Sequence, residues 1–214
     1  MHEVAADADG DLAIVSALHM ELLGFGPLAA LGERFVREIC YRALMRSQVL
    51  RVVLLRVDDE PAGFVAFTAS SYSFHREGLK KHLPRAALEF ARAALGQRGG
   101  LRKAVRAVRW VVSRRGEHAA DPQSGGEVVC VAVRPRYLRK QMNGKLRASE
   151  YLIDYAAREL RRQGVRQMRM VVQAENKAVL LLYHLLGARF EPYELGGEPQ
   201  VQVWFELGED GLKR

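Results

Sequence analysis

The chain has 214 residues, 49% apolar and 27% charged, an ordinary globular composition with length enough to bury a core. No apolar run approaches the ~20 residues of a membrane-spanning helix. The first ten residues carry Glu3, Asp7 and Asp9 rather than a basic-then-apolar signal, so the expected setting is cytoplasmic. The net charge of +8 has one source: twelve Lys/Arg face four acids between Ser71 and Gly126, while the remainder is balanced at 21 of each.

In chain order, residues 1–6 read as a short first strand. Asp9 or Asp11 then starts a helix whose Leu12, Val15, Leu18 and Leu22 share a face. Gly24 to Pro27 breaks it. A second helix follows with Leu28, Leu31, Phe35 and Ile39 inward, ending near Arg46. Residues 49–57 are β-rich, Asp58-Asp59-Glu60-Pro61 has turn chemistry, and 63–68 return as the partner strand of a hairpin.

The basic segment, 71–126, has helical spacing in at least two pieces, one opening at Pro84 and one resuming at Leu101. Residues 127–133 are an almost unbroken apolar strand, as in a central strand covered on both faces. A long helix is predicted over 144–163, a strand over 165–173, a helix from Asn176 to Gly187, and an antiparallel pair, 189–193 and 200–207, around Gly196-Gly197. The fold class is α/β (α+β): one domain over 1–214, with a mixed central sheet flanked by helices. The basic segment is a helical insertion between the third and fourth strands.

Cys40 and Cys130 lie among apolar residues and read as buried structural thiols, too few for a disulfide framework. The six histidines have no metal-ligand spacing, and no metal site is expected. His184 reads as a surface residue.

Residues 176–190, Asn-Lys-Ala-Val-Leu-Leu-Leu-Tyr-His-Leu-Leu-Gly-Ala-Arg-Phe, form an amphipathic helix with Asn176 as N-cap and Val179, Leu182, Tyr183 and Leu186 on one face. Asn-x-x-Ala, a Leu-Tyr pair and a closing Gly before an aromatic resemble motif B of the GNAT acyltransferases. With the basic segment set aside, the order of elements also resembles that superfamily.

The resemblance implies a GNAT N-acyltransferase fold and direct transfer of an acetyl or related acyl group from acetyl-CoA to a primary amine. In such proteins a tyrosine at the position of Tyr183 meets the CoA sulfur, and an asparagine at Asn176 contacts the CoA arm. The backbone N–H groups near Val131 and Val133, on a strand that splays from its neighbour, would hold the CoA arm and polarise the thioester. Glu127, fourteen residues before Gln141, falls where the histone-acetylating branch has its general base.

The pyrophosphate loop, commonly Arg-x-x-Gly-x-Gly/Ala, is replaced by Leu138-Arg139-Lys140-Gln141-Met142-Asn143, with Gly144 one position late. Gln141, Met142, Asn143 and Gly144 would supply N–H groups to the phosphates, and Arg139, Lys140 and Lys145 positive charge at the helix start. The acceptor pocket is expected between the 22–27 loop, the insert and the closing strands. The insert suggests an anionic acceptor or ligand, or a peripheral membrane surface; nucleic acid is less favoured as a partner, and a homodimer is open. The competing reading is a catalytically degenerate GNAT-like binding protein.

Overall fold

A computed structural model of the chain describes residues 1–24, 26, 29–71, 88 and 125–212. The expected helices of the basic segment thus lie outside the described residues apart from Leu88, as do Phe25 and Pro27 of the expected acceptor loop and Leu28 of the second expected helix.

Strands β1 (His2–Glu3), β2 (Arg51–Val57), β3 (Glu60–Thr68) and β4 (Gly126–Val133) pair antiparallel in that order. Asp58 and Asp59, both at positive φ (51° and 62°), make the two-residue β2–β3 turn, so Glu60 and Pro61 belong to β3 rather than to the loop. Two short strands, β5 (Gln141–Met142) and β6 (Leu146–Arg147), form a separate hairpin.

Beyond it, β7 (Gln167–Gln173) lies parallel to β4 and antiparallel to β9 (Glu198–Gly208). Strand β8 (Arg189–Leu195) pairs with β9 through the Gly196-Gly197 turn, and β10 (Gly211–Leu212) adds a short final strand to β9. Strand β9 therefore sits between β7 and β8, as in a mixed sheet closed by an antiparallel pair.

The helices divide between two faces. Helix α1 (Asp9–Leu23) buries Leu12, Val15 and Leu18, with Leu22 half-buried. Helix α2 begins after a 3-10 turn at Ala29–Leu31. It runs as an α-turn over Glu33–Phe35, becomes π-helical over Val36–Ala43, and returns to α over Leu44–Arg46.

The π run changes the inward set. Tyr41, which an α period counted from Phe35 and Ile39 leaves off the inner face, is buried. These helices pack with Val52, Leu54, Phe64 and Ala66 in one core. On the other face, helix α3 (Ala148–Arg162) buries Ala148, Leu152, Ile153, Ala156, Ala157 and Leu160, and α4 (Lys177–Leu185) contributes Tyr183. They meet Val53, Val65, Val128, Met168, Met170, Val203 and Phe205 in the second core.

Helix α3 starts four residues later than the sequence pattern indicates. The reason is local: Asn143 and Gly144 both take positive φ (51° and 69°) and turn β5 back into β6. Asn-Gly is the strongest short hairpin signal, and here it overrides the helical reading of the residues after it.

Candidate active site

Strands β4 and β7 pair through just two positions, Gly126↔Met168 and Glu127↔Arg169, and then diverge. Close approach at this junction requires glycine: a Cβ on Gly125 would stand 2.1 Å from the Gln167 carbonyl oxygen. Past the junction β4 bulges, because Val128 and Cys130 face consecutive residues of β3 (Phe67 and Ala66) and Val129 is the extra residue.

The Arg134 N–H donates to the Ala62 carbonyl of the β3 strand at 2.9 Å. Since successive N–H groups of a strand alternate between its edges, those of Val133 and Val131 turn the other way, toward the gap. The gap is a cleft of about 380 Å³. Its walls come from β4 (Val128 to Val131, Val133) and β7 (Met170 to Gln173), with Ser149 and Ile153 of α3 and Asn176, Val179, Leu182 and Tyr183 around α4. Leu23, Gly26, Leu195, Glu198 and Gln200 line its other mouth.

Asn176 caps α4, its Oδ1 accepting the Val179 N–H at 3.3 Å, and Gly187 closes the helix at φ 83°. Tyr183 is 3% exposed and meets the Phe205 ring edge-on, at 5.8 Å between centroids. Its hydroxyl has no hydrogen-bond partner among the described residues. Burial pushes its pKa up, so the phenol stays protonated at neutral pH. His184, beside it, is exposed as expected.

Val131, Val133, Asn176 and Tyr183 are thus brought together at one cleft. The charged stretch before α3 is arranged differently. Gln141, Met142, Asn143, Gly144 and Lys145 form the β5–β6 hairpin and its turn, not an open loop; the Lys145 N–H donates to the Met142 carbonyl at 3.2 Å. None of the five lines the cleft; Leu138 and Ser149, on either side of them, do.

Lys140 is drawn to Asp58 at 2.8 Å, while Arg139 and Lys145 are exposed. At the start of α3 the Glu150 carboxylate accepts the Arg147 N–H at 3.2 Å. The free N–H groups of this helix therefore begin at Ala148 and Ser149, not at Gly144.

Glu127 sits at the closed end. It is 1% exposed, pairs with Arg169 at 2.8 Å, and is not among the residues lining the cleft. Arg169 in turn packs over the Trp204 ring at 5.9 Å.

The sequence reading passed over a chain of three side chains behind β4. Tyr41 Oη lies 2.6 Å from His19 Nδ1 and 3.6 Å from Cys130 Sγ. Cys130 is half-buried and is among the residues lining the cleft, while its thiol packs on the Tyr41 side of the sheet. Desolvation lowers His19 to a pKa of about 4 and raises Cys130 to about 11. All three groups are therefore neutral near pH 7. The one sequence signal was the apolar context around His19, which marks a histidine facing the core.

No family model and no curated protein matches the sequence. Solved structures do match by shape. An acetyltransferase assigned to the GNAT family, from Desulfovibrio desulfuricans, superposes with a TM-score of 0.56 at 14% identity, over 97% of this chain and 99% of that one. The PaiA N-acetyltransferase of Thermoplasma acidophilum, solved with coenzyme A, gives a TM-score of 0.54 at 12% identity, over 95% and 98%. The chain has the GNAT fold. Within the GNAT fold, the two-residue junction, the β4 bulge and β9 threaded between β7 and β8 are the features that position the cleft.

Proposed function

We propose that the chain is an N-acyltransferase that moves an acetyl or related acyl group from CoA to a primary amine. The observation that best supports this is the cleft itself: the Val131 N–H on one wall and the Tyr183 hydroxyl on the other frame an apolar gap. A backbone N–H aimed where an oxyanion develops is worth several kcal/mol in a site that excludes water. A phenol kept protonated by its surroundings can donate to a departing CoA thiolate as the C–S bond breaks. The free N–H groups at Ala148 and Ser149 form the anion-binding helix start the reading requires.

For the acceptor, Glu198 is the one charged side chain among the described lining residues, and no Lys or Arg joins it. That lining suits an amine better than an anion, so an anionic acceptor would depend on the basic segment. A base role for Glu127 would need a path past its pair with Arg169. The protein is proposed to act in the cytoplasm; no helix among the described residues is long and apolar enough to cross a membrane.

Calorimetric titration with acetyl-CoA and with CoA tests the reading, followed by assay of free CoA thiol released on adding primary amines. Binding of both and amine-dependent release are expected. No heat and no thermal shift at millimolar acetyl-CoA would overturn it. The hairpin at 141–147, standing where GNAT proteins commonly have a glycine loop, favours a second reading, a non-catalytic GNAT-fold protein whose basic segment holds an anionic membrane surface. Salt-sensitive sedimentation with anionic vesicles, without CoA release, would select that one.

A further inference from the structure

The bulge in β4, the π run in α2 and the His19–Tyr41–Cys130 chain converge on one place. Cys130 lies between Val129, the extra residue of the bulge, and Val131, whose N–H turns into the cleft. A bulged strand whose far edge is unpaired has few constraints on the angle of that N–H. Past Glu127, β4 pairs on the β3 side alone among the described residues.

The Cys130 side chain runs back into the helical layer and meets Tyr41, which the π run turns inward. Tyr41 is 2% exposed and fixed on three sides: by His19 through its hydroxyl, and edge-on by the rings of His19 (5.7 Å) and Phe64 (5.9 Å). Two orders of protons satisfy these partners: His19 accepts the Tyr41 O–H at Nδ1 while the Tyr41 oxygen accepts the Cys130 S–H, or His19 donates from Nδ1 while the Tyr41 O–H donates to Cys130 Sγ. In both, the Tyr41 hydroxyl holds His19 and Cys130 at once.

Resting on the acyl-CoA reading above, we propose that Tyr41 is a positioning residue: through Cys130 it fixes the bulged part of β4 and so aims the Val131 N–H at the thioester carbonyl of a bound acyl-CoA. Tyr41 itself touches no substrate. Its action is read at the carbonyl, not at the CoA arm.

The test uses acetyl-CoA carrying ¹³C at the acetyl carbonyl, bound to the full chain and observed by NMR. A carbonyl that accepts a hydrogen bond resonates downfield of the free ligand, and that displacement is expected in the wild type. Tyr41→Phe keeps the ring and loses the hydroxyl. It is expected to remove at least half of the displacement while the dissociation constant of CoA changes less than about twofold, since the arm contacts are untouched.

Cys130→Ser, which can still hydrogen-bond Tyr41, should retain the displacement, and Cys130→Ala should lose it. These two variants decide the matter if Tyr41→Phe fails to fold. A displacement unchanged in Tyr41→Phe and in Cys130→Ala would overturn the proposal. A fall in CoA affinity that parallels the lost displacement would also overturn it, by reducing Tyr41 to general packing. Wild-type protein that binds CoA but shows no displacement overturns this inference alone. Protein that binds neither ligand overturns the acyl-CoA reading and this with it.

Discussion

Glu127 and Arg169 face each other across the parallel junction of β4 and β7, and their side chains form an ion pair 2.8 Å long, 1% and 6% exposed. The pair closes one end of the cleft from within the sheet. Removing one partner of a buried ion pair costs about 3–5 kcal/mol, because the other charge is left in a poor solvent. Glu127→Gln is therefore expected to lower the midpoint of thermal and urea unfolding together. If Glu127 were instead a base reached through water, the variant would keep its stability and lose the acidic limb of its pH–rate profile. Measuring both in one preparation separates the two roles.

Tyr183→Phe bears on the chemistry from the other wall. General acid assistance is typically worth ~10²–10⁴-fold, so turnover should fall by about that factor. Acetyl-CoA affinity should hold, since the ring remains packed against Phe205. Equal turnover in mutant and wild type would leave Tyr183 as a packing residue.

The depressed pKa of His19, about 4, has a consequence for stability. In the unfolded chain a histidine titrates near 6.5. Between these values the unfolded state binds a proton that the folded state refuses, so stability is lost as pH falls from about 6.5 toward 4. The loss approaches about 1.4 kcal/mol per pH unit in that window and vanishes above it. His19→Gln should flatten this part of the stability profile relative to wild type. Parallel profiles for the two proteins would show that His19 titrates normally.

Gly125→Ala tests the junction. The added Cβ would meet the Gln167 carbonyl oxygen, a backbone atom, at 2.1 Å, so the backbone must shift beside the β4–β7 pairing. Forced shifts of this kind typically cost about 1–3 kcal/mol. The variant should unfold earlier and bind acetyl-CoA more weakly, both measurable by melting with and without ligand. An unperturbed melt would mean that the junction is looser than described.

Much of the fold was legible because apolar periodicity and turn residues agreed. The Tyr183 helix, its Asn176 cap and its Gly187 stop fall where the pattern sets them. Two things escaped. The Asn143-Gly144 hairpin was read as the first turn of a helix, since a motif expectation outweighed the turn chemistry of the pair itself. Tyr41 was missed because a π run has no sequence period of its own, so its inward face emerges only once α2 packs on the sheet. Spacing placed Glu127 on its strand, but its ion pair with Arg169 depends on the parallel β4–β7 pairing, a contact between residues 42 apart that local spacing does not carry.

The gap between β4 and β7 also leaves two strand edges, from Val128 to Val133 and from Met170 to Gln173, unpaired among the described residues, in the middle of the sheet instead of at its rim. Open edges of apolar strands invite pairing with other molecules and, through it, aggregation. Here the two edges face each other and converge on Glu127 and Arg169, so a strand from another chain entering the wedge would run out of width within a few residues. The shape that leaves these backbone groups accessible to a slender ligand thereby guards the protein against growing a β-sheet with its neighbours.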